Sequence, residues 1–365
     1  MKTPIAERCW AEVEEAALRH NAREARERIG PETALLAVVK ANAYGHGMIE
    51  VARALRAEAH LFGVANLHEA LELRGSGLSH PIMILGPALP EERAEICAQG
   101  FIPSVSDFDE ARAFVGNPGG INFAIDTGMG RMGCWQEEAM AELEQIARLP
   151  GLTIHSISTH LPAADEDAAY TERELVKFDQ LVRQIRARVP GAYKVHVLLS
   201  AGILGFAQHR FDLVRAGLML YGISPLPNKQ RHLRPALSLK ARVTLLRDLP
   251  PGRSVSYGRT FVTTQPTRVA TISAGYADGY PRAISNREGA VLIGGRRCPI
   301  LGRITMDLMM ADVSALPEVG LGDEVVLIGK QGNEEILAAE VAERAGTIAW
   351  EIFTGIGSRV RRLYL

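Results

Sequence analysis

The chain has 365 residues, more than one hydrophobic core ordinarily serves, so two domains are expected. Apolar residues make up 47% and charged residues 23%, the balance of a soluble globular protein. With 41 basic against 42 acidic side chains the net charge is −1, which gives no field to draw nucleic acid or an anionic membrane.

No apolar run approaches the length of a transmembrane helix, and Met1 to Glu14 contains no apolar signal core. Cys9, Cys97, Cys134 and Cys298 are scattered without metal-ligand spacing, so neither a metal site nor a disulfide framework is expected. The expected location is the cytoplasm.

Cys9 to Glu15 alternates apolar with polar residues and reads as an edge strand, and a charged amphipathic helix follows over 16–29. Short apolar segments then recur at 35–39, 61–65, 81–85, 101–105, 121–125, 153–158, 195–199 and 213–220, with helical patterns between most of them. Eight strands alternating with helices predict a (β/α)8 barrel over residues 1–235. No Gly-rich dinucleotide fingerprint follows the first strand, which argues against an open doubly wound sheet. From Ala236 helical periodicity nearly vanishes, and short strands separated by Gly and Pro turns predict a mostly-β domain over 236–365 with one short helix near 337–345. The 9–15 strand is a candidate to join that β domain.

Barrel enzymes carry their chemistry at the C-terminal ends of the strands. The first apolar run ends on Lys40, before a turn of small residues with Gly45 and Gly47. Burial lowers a lysine pKa, and a partly neutral amine is the nucleophile of Schiff-base chemistry. Asp126-Thr-Gly-Met-Gly-Arg131 follows the fifth strand, His160 the sixth and Ser200 the seventh, while the eighth carries Arg215-Ala-Gly217-Leu218. Gly217, Leu218 and Ser200 suit a phosphate, which barrels commonly hold after strands seven and eight. A Schiff-base lysine beside a phosphate site points to pyridoxal 5′-phosphate, PLP. Taken singly, each residue has an ordinary alternative. Lys40 could snorkel to water, His160 could be a structural hydrogen-bonder and the arginines ion-pair partners, and Ser200 could be a helix cap. Their joint placement at strand ends is what favours a site.

Ala37-Val-Val-Lys40-Ala-Asn-Ala-Tyr44-Gly-His-Gly47 resembles the PLP-attachment motif of the alanine racemases, and the resemblance extends over nearly the whole chain. Further matching runs are Asp126-Thr-Gly-Met-Gly-Arg131, Thr159-His160, Arg215-Ala-Gly-Leu-Met-Leu-Tyr221-Gly, Ser256-Tyr257-Gly-Arg-Thr-Phe261, Gly275-Tyr276-Ala-Asp-Gly-Tyr280 and Gly302-Arg-Ile-Thr-Met306-Asp307. The resemblance implies interconversion of L- and D-alanine, supplying D-alanine for peptidoglycan, by a homodimer with shared active sites. It implies that Lys40 carries the cofactor and acts as one acid/base, with Tyr257 from the partner subunit as the other. It further implies that Tyr44, Ser200, Gly217 and Leu218 hold the phosphate, and that Arg215 faces the pyridine nitrogen with His160 behind it. Arg131 and the Met306 backbone would meet the substrate carboxylate, and Tyr276 would line the entrance. An arginine cannot accept the ring-nitrogen proton that most PLP enzymes retain with a carboxylate, so the ring is expected to be a weaker electron sink.

The chain departs from the family at three places. Many members carry a lysine, often carbamylated, shortly before the Gly-Met-Gly-Arg glycines, where this chain has Phe123-Ala124-Ile125. Leu199 stands where some members have asparagine, and Ser358 where some have a tyrosine. The smaller Ser358 leads to an expected side activity on serine. Alternative activities are a broader amino-acid racemase and a PLP decarboxylase of the same architecture. The decarboxylase would need an acid in place of Arg215. A PLP carrier without turnover resembles the barrel alone and would lack the domain that holds Tyr257.

Overall fold

In the computed structural model, which describes residues 7–365, the chain divides into two compact units. The start of the Met1–Glu14 stretch, its first six residues, lies outside the described residues. One unit comprises Ala17–Ala43 and Met48–Arg234, and the other the described residues up to Ala16, Tyr44–Gly47 and Pro235–Leu365. Among the described residues, no helix is long and apolar enough to cross a membrane.

The strands up to the end of the first unit are β1 (Cys9–Val13), β2 (Ala34–Val38), β3 (Leu61–Val64), β4 (Ile82–Ile84), β5 (Ile102–Val105), β6 (Ile121–Asp126), β7 (Cys134–Trp135), β8 (Ile154–Ser158), β9 (Lys194–His196) and β10 (Leu213–Ala216). Eight of them run parallel in the order β5-β4-β3-β2-β10-β9-β8-β6, and β5 pairs with β6 to close the barrel. Every residue of β2 through β6 is buried, because such strands face side chains inside the barrel and helices outside it. The expected alternation of strands and helices is therefore the one observed. The helix Glu15–Ile29 buries Leu18, Ala22, Ala25 and Ile29, one face at helical spacing.

The barrel interior is not wholly apolar. Asn122, on β6, donates from Nδ2 to Ser104 Oγ (3.1 Å) and Ser158 Oγ (3.0 Å). Its Oδ1 accepts from Ser156 Oγ (2.9 Å) and His196 Nε2 (3.1 Å). An amide oxygen only accepts, so His196 carries its proton on Nε2. Burial, then nearby Arg215, holds its pKa far below the usual histidine range, so the ring is neutral.

The second unit is built on β11 (Leu237–Leu249), followed by β12 (Ser254–Val255), β13 (Phe261–Val262), β14 (Thr267–Ile272), β15 (Ala290–Ile293), β16 (Arg296–Pro299), β17 (Met309–Asp312), β18 (Glu324–Gln331), β19 (Glu334–Ile336) and β20 (Arg361–Tyr364). Leu237, Leu239, Ala241 and Val243 point inward at period two. The β1 strand belongs to this unit and is not an edge. It lies between β11 (antiparallel, Cys9↔Ala241) and β20 (parallel, Trp10↔Arg361). The final four-residue strand, too short and charged to read as one, covers the side that the sequence left open. Beyond β11 the described residues form two α-helices, Ala338–Ala345 and Ala349–Thr354, where one is expected. The second carries Trp350, Ile352 and Phe353, residue types of modest helix propensity that hid it.

Replacing Asn122 with leucine strands the His196 N–H and the serine hydroxyls in the barrel. A loss of about 2–4 kcal/mol in stability is expected from such unsatisfied buried groups. Thermal unfolding of the variant measures it, and a change within about 0.5 kcal/mol would show that the polar layer does not hold the barrel together.

Candidate active site

Lys40 follows β2 by two residues, and the chain there does something that the sequence reading missed. The glycines Gly45 and Gly47 predict the turn, but the reversal begins earlier. Ala41, Asn42, Ala43 and Tyr44 all have φ between 50° and 53°, a left-handed turn of four non-glycine residues. L-residues avoid this region by roughly 1–2 kcal/mol each. Hydrogen bonds hold it: Val39 C=O accepts Ala43 N–H (2.8 Å), Asn42 Oδ1 accepts Met48 N–H (2.9 Å), and Glu69 Oε1 accepts Ala41 N–H (2.8 Å). Asn42 was the available signal, since asparagine tolerates the left-handed region best among non-glycine residues.

Lys40 lines a cavity of about 410 Å³ at the barrel mouth, together with Arg131, Thr159, His160, His196 and Arg215. Among its described lining residues there is no carboxylate. Burial, then Arg131, lowers the Lys40 pKa; Glu69 opposes the shift and Arg215 adds to it. Arg215 is held by the carbonyls of Thr159 and Val197 (3.0 Å for the second) and by His160 Nδ1 at 3.2 Å. A guanidinium only donates, so His160 Nδ1 accepts and its proton sits on Nε2. Burial, Arg215 and Arg131 push the His160 pKa down to about 3, which keeps the ring neutral. The Arg215 pKa falls to about 10 through burial and Arg131, still high enough to stay charged at neutral pH.

Arg131 is exposed at the end of a loop that Asp126 organises. The Asp126 carboxylate accepts the N–H groups of Gly128, Met129 and Gly130, each at 2.8 Å. Thr127 and Thr159 share a hydroxyl bond of 2.9 Å beside it. Backbone hydrogen bonds to Asp126 thus shape the loop that carries Arg131. Ala124 and Ile125 are part of the cavity wall there.

Ser200 starts the helix Ser200–Gly205 beyond β9, and its Oγ accepts Gly217 N–H (3.0 Å) and Met219 N–H (3.2 Å). With both acceptor sites used, its O–H proton remains to donate. The Gly217 N–H is engaged by Ser200, and Leu218 opens the turn that follows, Leu218–Tyr221. Tyr44 packs with the β unit, although it lies four residues from Lys40. Burial raises its pKa to about 12, so its hydroxyl keeps the proton and can donate. Gly45 is required beside it: a Cβ there would stand 2.1 Å from the Phe353 carbonyl oxygen. The Gly45 C=O in turn accepts Arg362 Nε at 3.0 Å.

Within the β unit, Tyr257 is 70% exposed in the turn Tyr257–Arg259, between β12 and β13. Tyr276 and Met306 are also exposed. They sit on touching loops: Tyr276 N–H donates to Thr305 C=O (3.1 Å) and Ala277 N–H to Met306 C=O (3.0 Å). Arg359 ties both loops, giving Nε and Nη2 to Asp278 (2.7 and 2.9 Å) and Nη1 to Asp307 (2.8 Å). Sequence reasoning attended to Ser358 and missed Arg359. A basic residue near the C-terminus carries no signal of its partners, which lie 81 and 52 residues away.

The residues present suit PLP. A cation-walled cavity free of carboxylates fits its anionic groups, and the Ser200 O–H is a donor of the kind a phosphate accepts. Residues 13–225 match the alanine racemase N-terminal domain and residues 236–364 its C-terminal domain. The alanine racemase of Methylacidiphilum infernorum is 41% identical, over 99% of this chain and 94% of its own length. That of Carboxydothermus hydrogenoformans is also 41% identical, over 98% of this chain and 99% of its own. Among solved structures, the alanine racemase of Streptomyces lavendulae superposes with a TM-score of 0.89 at 36% identity, covering 99% of this chain and 98% of that one. The enzyme of E. faecalis gives 0.91 at 32% identity over the full length of both chains. By sequence and by fold the chain belongs to the alanine racemase family, the PLP-dependent isomerases that interconvert L-alanine and D-alanine.

Proposed function

We propose that this chain racemises alanine with two bases, Lys40 and Tyr257, which reach opposite faces of the substrate from two subunits of a homodimer. The observation that carries the reading is the environment of Lys40: an amine of lowered pKa on the wall of a carboxylate-free cavity, beside two arginines. When bound, PLP withdraws electrons from the substrate Cα and makes its proton acidic. Lys40, which would hold the cofactor, is neutral in a larger fraction than an ordinary lysine, so its Nζ can accept that proton. Tyr257 Oη would return a proton from the other face. Arg215 can donate and cannot accept, so the ring nitrogen it would meet keeps its lone pair. The carbonyls of Thr159 and Val197 fix the guanidinium in that role. Arg131 and the Met306 backbone would bind the substrate carboxylate, with Tyr276 at the entrance. Ser200, Gly217, Leu218 and Tyr44 would hold the phosphate.

The described cysteines are all free thiols, consistent with a reducing compartment. We therefore place the enzyme in the cytoplasm, where its D-alanine would serve peptidoglycan synthesis.

Two things support sharing of sites: Tyr257 is exposed on the β unit, and a small substrate needs bases on both faces. Mixed dimers test it. Lys40→Ala and Tyr257→Phe chains, each nearly inactive alone, are unfolded and refolded together. In a shared-site heterodimer one site collects both defects and the other has none, so recovery approaches about a quarter of wild-type activity under random pairing. No recovery with heterodimers verified would overturn the shared site.

Slow turnover of serine belongs to the same proposal. Ser358 is exposed and small, and an apolar wall discriminates weakly against one added hydroxyl. Ser358→Tyr is expected to lower kcat/KM for serine several-fold relative to alanine, and an unchanged ratio would remove this position from the specificity wall.

A further inference from the structure

Glu69, which holds the turn after Lys40 by one bond, is a partly buried carboxylate in the first turn of the helix Leu67–Gly75. The helix is capped by Asn66, whose Oδ1 accepts Glu69 N–H at 3.0 Å. Glu69 Oε2 accepts Ala65 N–H at 2.7 Å, just before the cap. The other oxygen leaves its own strand-helix unit. Oε1 accepts Ala41 N–H at 2.8 Å, on the residue after Lys40, bridging from the end of β3 to the end of its neighbour β2.

The chain contains an internal comparison. Ser106-Asp107-Phe108-Asp109-Glu110, after β5, repeats the pattern Ala65-Asn66-Leu67-His68-Glu69. There Asp107 Oδ1 accepts Glu110 N–H (2.8 Å) and Glu110 Oε2 accepts Ser106 N–H (2.7 Å). Such a cap needs one carboxylate oxygen, much like a capping box. Glu110 follows a strand that pairs with β4 and β6, not with β2. Glu69 makes the same cap and gives its second oxygen to the left-handed turn that begins at Ala41.

Lys40 is the residue immediately before that turn. Four consecutive left-handed residues are strained and persist only where their surroundings over-determine them. A charged acceptor on the turn's first N–H is a strong constraint of this kind. We propose that Glu69 is the positioning residue of Lys40: its carboxylate fastens the left-handed turn and thereby directs the lysine into the cavity. This rests on the reading of Lys40 as the cofactor-bearing base. The charged groups acting on Lys40 are Arg131 from the loop after β6, Arg215 from β10 and Glu69; His160 after β8 and His196 on β9 are neutral. Arg131 and Arg215 depress the lysine pKa, and Glu69 opposes them.

The test compares Glu69→Gln, Glu69→Asp and Glu110→Gln holoenzymes. Glutamine keeps the size, loses the charge and offers one acceptor oxygen for two amides. Glu69→Gln is expected to lower kcat about tenfold with KM nearly unchanged, since a misplaced base affects the chemical step. Removing the negative charge lowers the Lys40 pKa, so the rising limb of the kcat pH profile moves to lower pH. The pH titration of the cofactor's visible absorbance moves the same way, and amide exchange at Ala41 quickens about tenfold. Glu69→Asp, which keeps the charge, restores the pH limb. Glu110→Gln changes each readout less than twofold. Equal loss of thermal stability in the two Gln variants, with kcat, the pH limb and Ala41 exchange unmoved, would reduce Glu69 to a helix cap and overturn the inference. Borohydride reduction with peptide mapping separates this from failure of the underlying reading. A label away from Lys40 defeats that reading, whereas a label on Lys40 with an indifferent Glu69→Gln defeats only the role of Glu69.

Discussion

Three cationic side chains, Lys40, Arg131 and Arg215, are drawn out of water at the mouth of one barrel, and that burial, reinforced by their mutual repulsion, shapes the rest of the site. Like charges in a low-dielectric pocket are costly, so the least costly proton to give up is lost most readily. A guanidinium holds its proton far more tightly than an ammonium, so the lysine yields. Burial keeps His160 and His196 neutral, helped at His160 by Arg215, Arg131 and Lys40 and at His196 by Arg215. The outcome is a neutral-prone amine flanked by fixed cations, which suits an anionic cofactor and a substrate carboxylate.

The fold supplies what this arrangement needs. Arg215 stays charged in a buried place because the carbonyls of Thr159 and Val197 and the ring of His160 accept its hydrogen bonds. Arg131 is delivered by a loop wrapped around the Asp126 carboxylate. Beneath them, the amide of Asn122 satisfies three serines and His196, so the barrel floor tolerates polar groups without stranding them. In the β unit, Arg359 plays an equivalent part by fastening the loops of Tyr276 and Met306 to one guanidinium.

Much of this was legible in the sequence, for physical reasons that can be named. Barrel strands buried on both faces read as short, largely apolar runs, so β2, β3 and β4 announce themselves, and β5 and β6 do so despite Ser104 and Asn122. Residues that end such runs face the mouth, which put Lys40 and Arg215 on the candidate roster. What stayed hidden depends on partners distant in the chain. Glu69 reaches Ala41 across 28 residues, and β1 gains its second neighbour from β20 more than 340 residues later. The left-handed turn was concealed by glycines nearby that offered an easier explanation. The β-unit segment Tyr44–Gly47 was concealed by its continuity with Lys40, since nothing in the motif marks where one packing unit hands over to the other.

Burial lowers the Lys40 pKa first, and repulsion from Arg131 and Arg215 lowers it further. The most direct measurement is the pH profile of kcat for the Arg131→Met holoenzyme beside the native enzyme. Arg131 is the strongest charged influence lowering the Lys40 pKa, so removing it should raise that pKa and move the rising limb to higher pH. The native limb should lie clearly below the ordinary lysine value of about 10.4. A native limb at or above that value, or a variant limb that stays in place or moves to lower pH, would contradict the account.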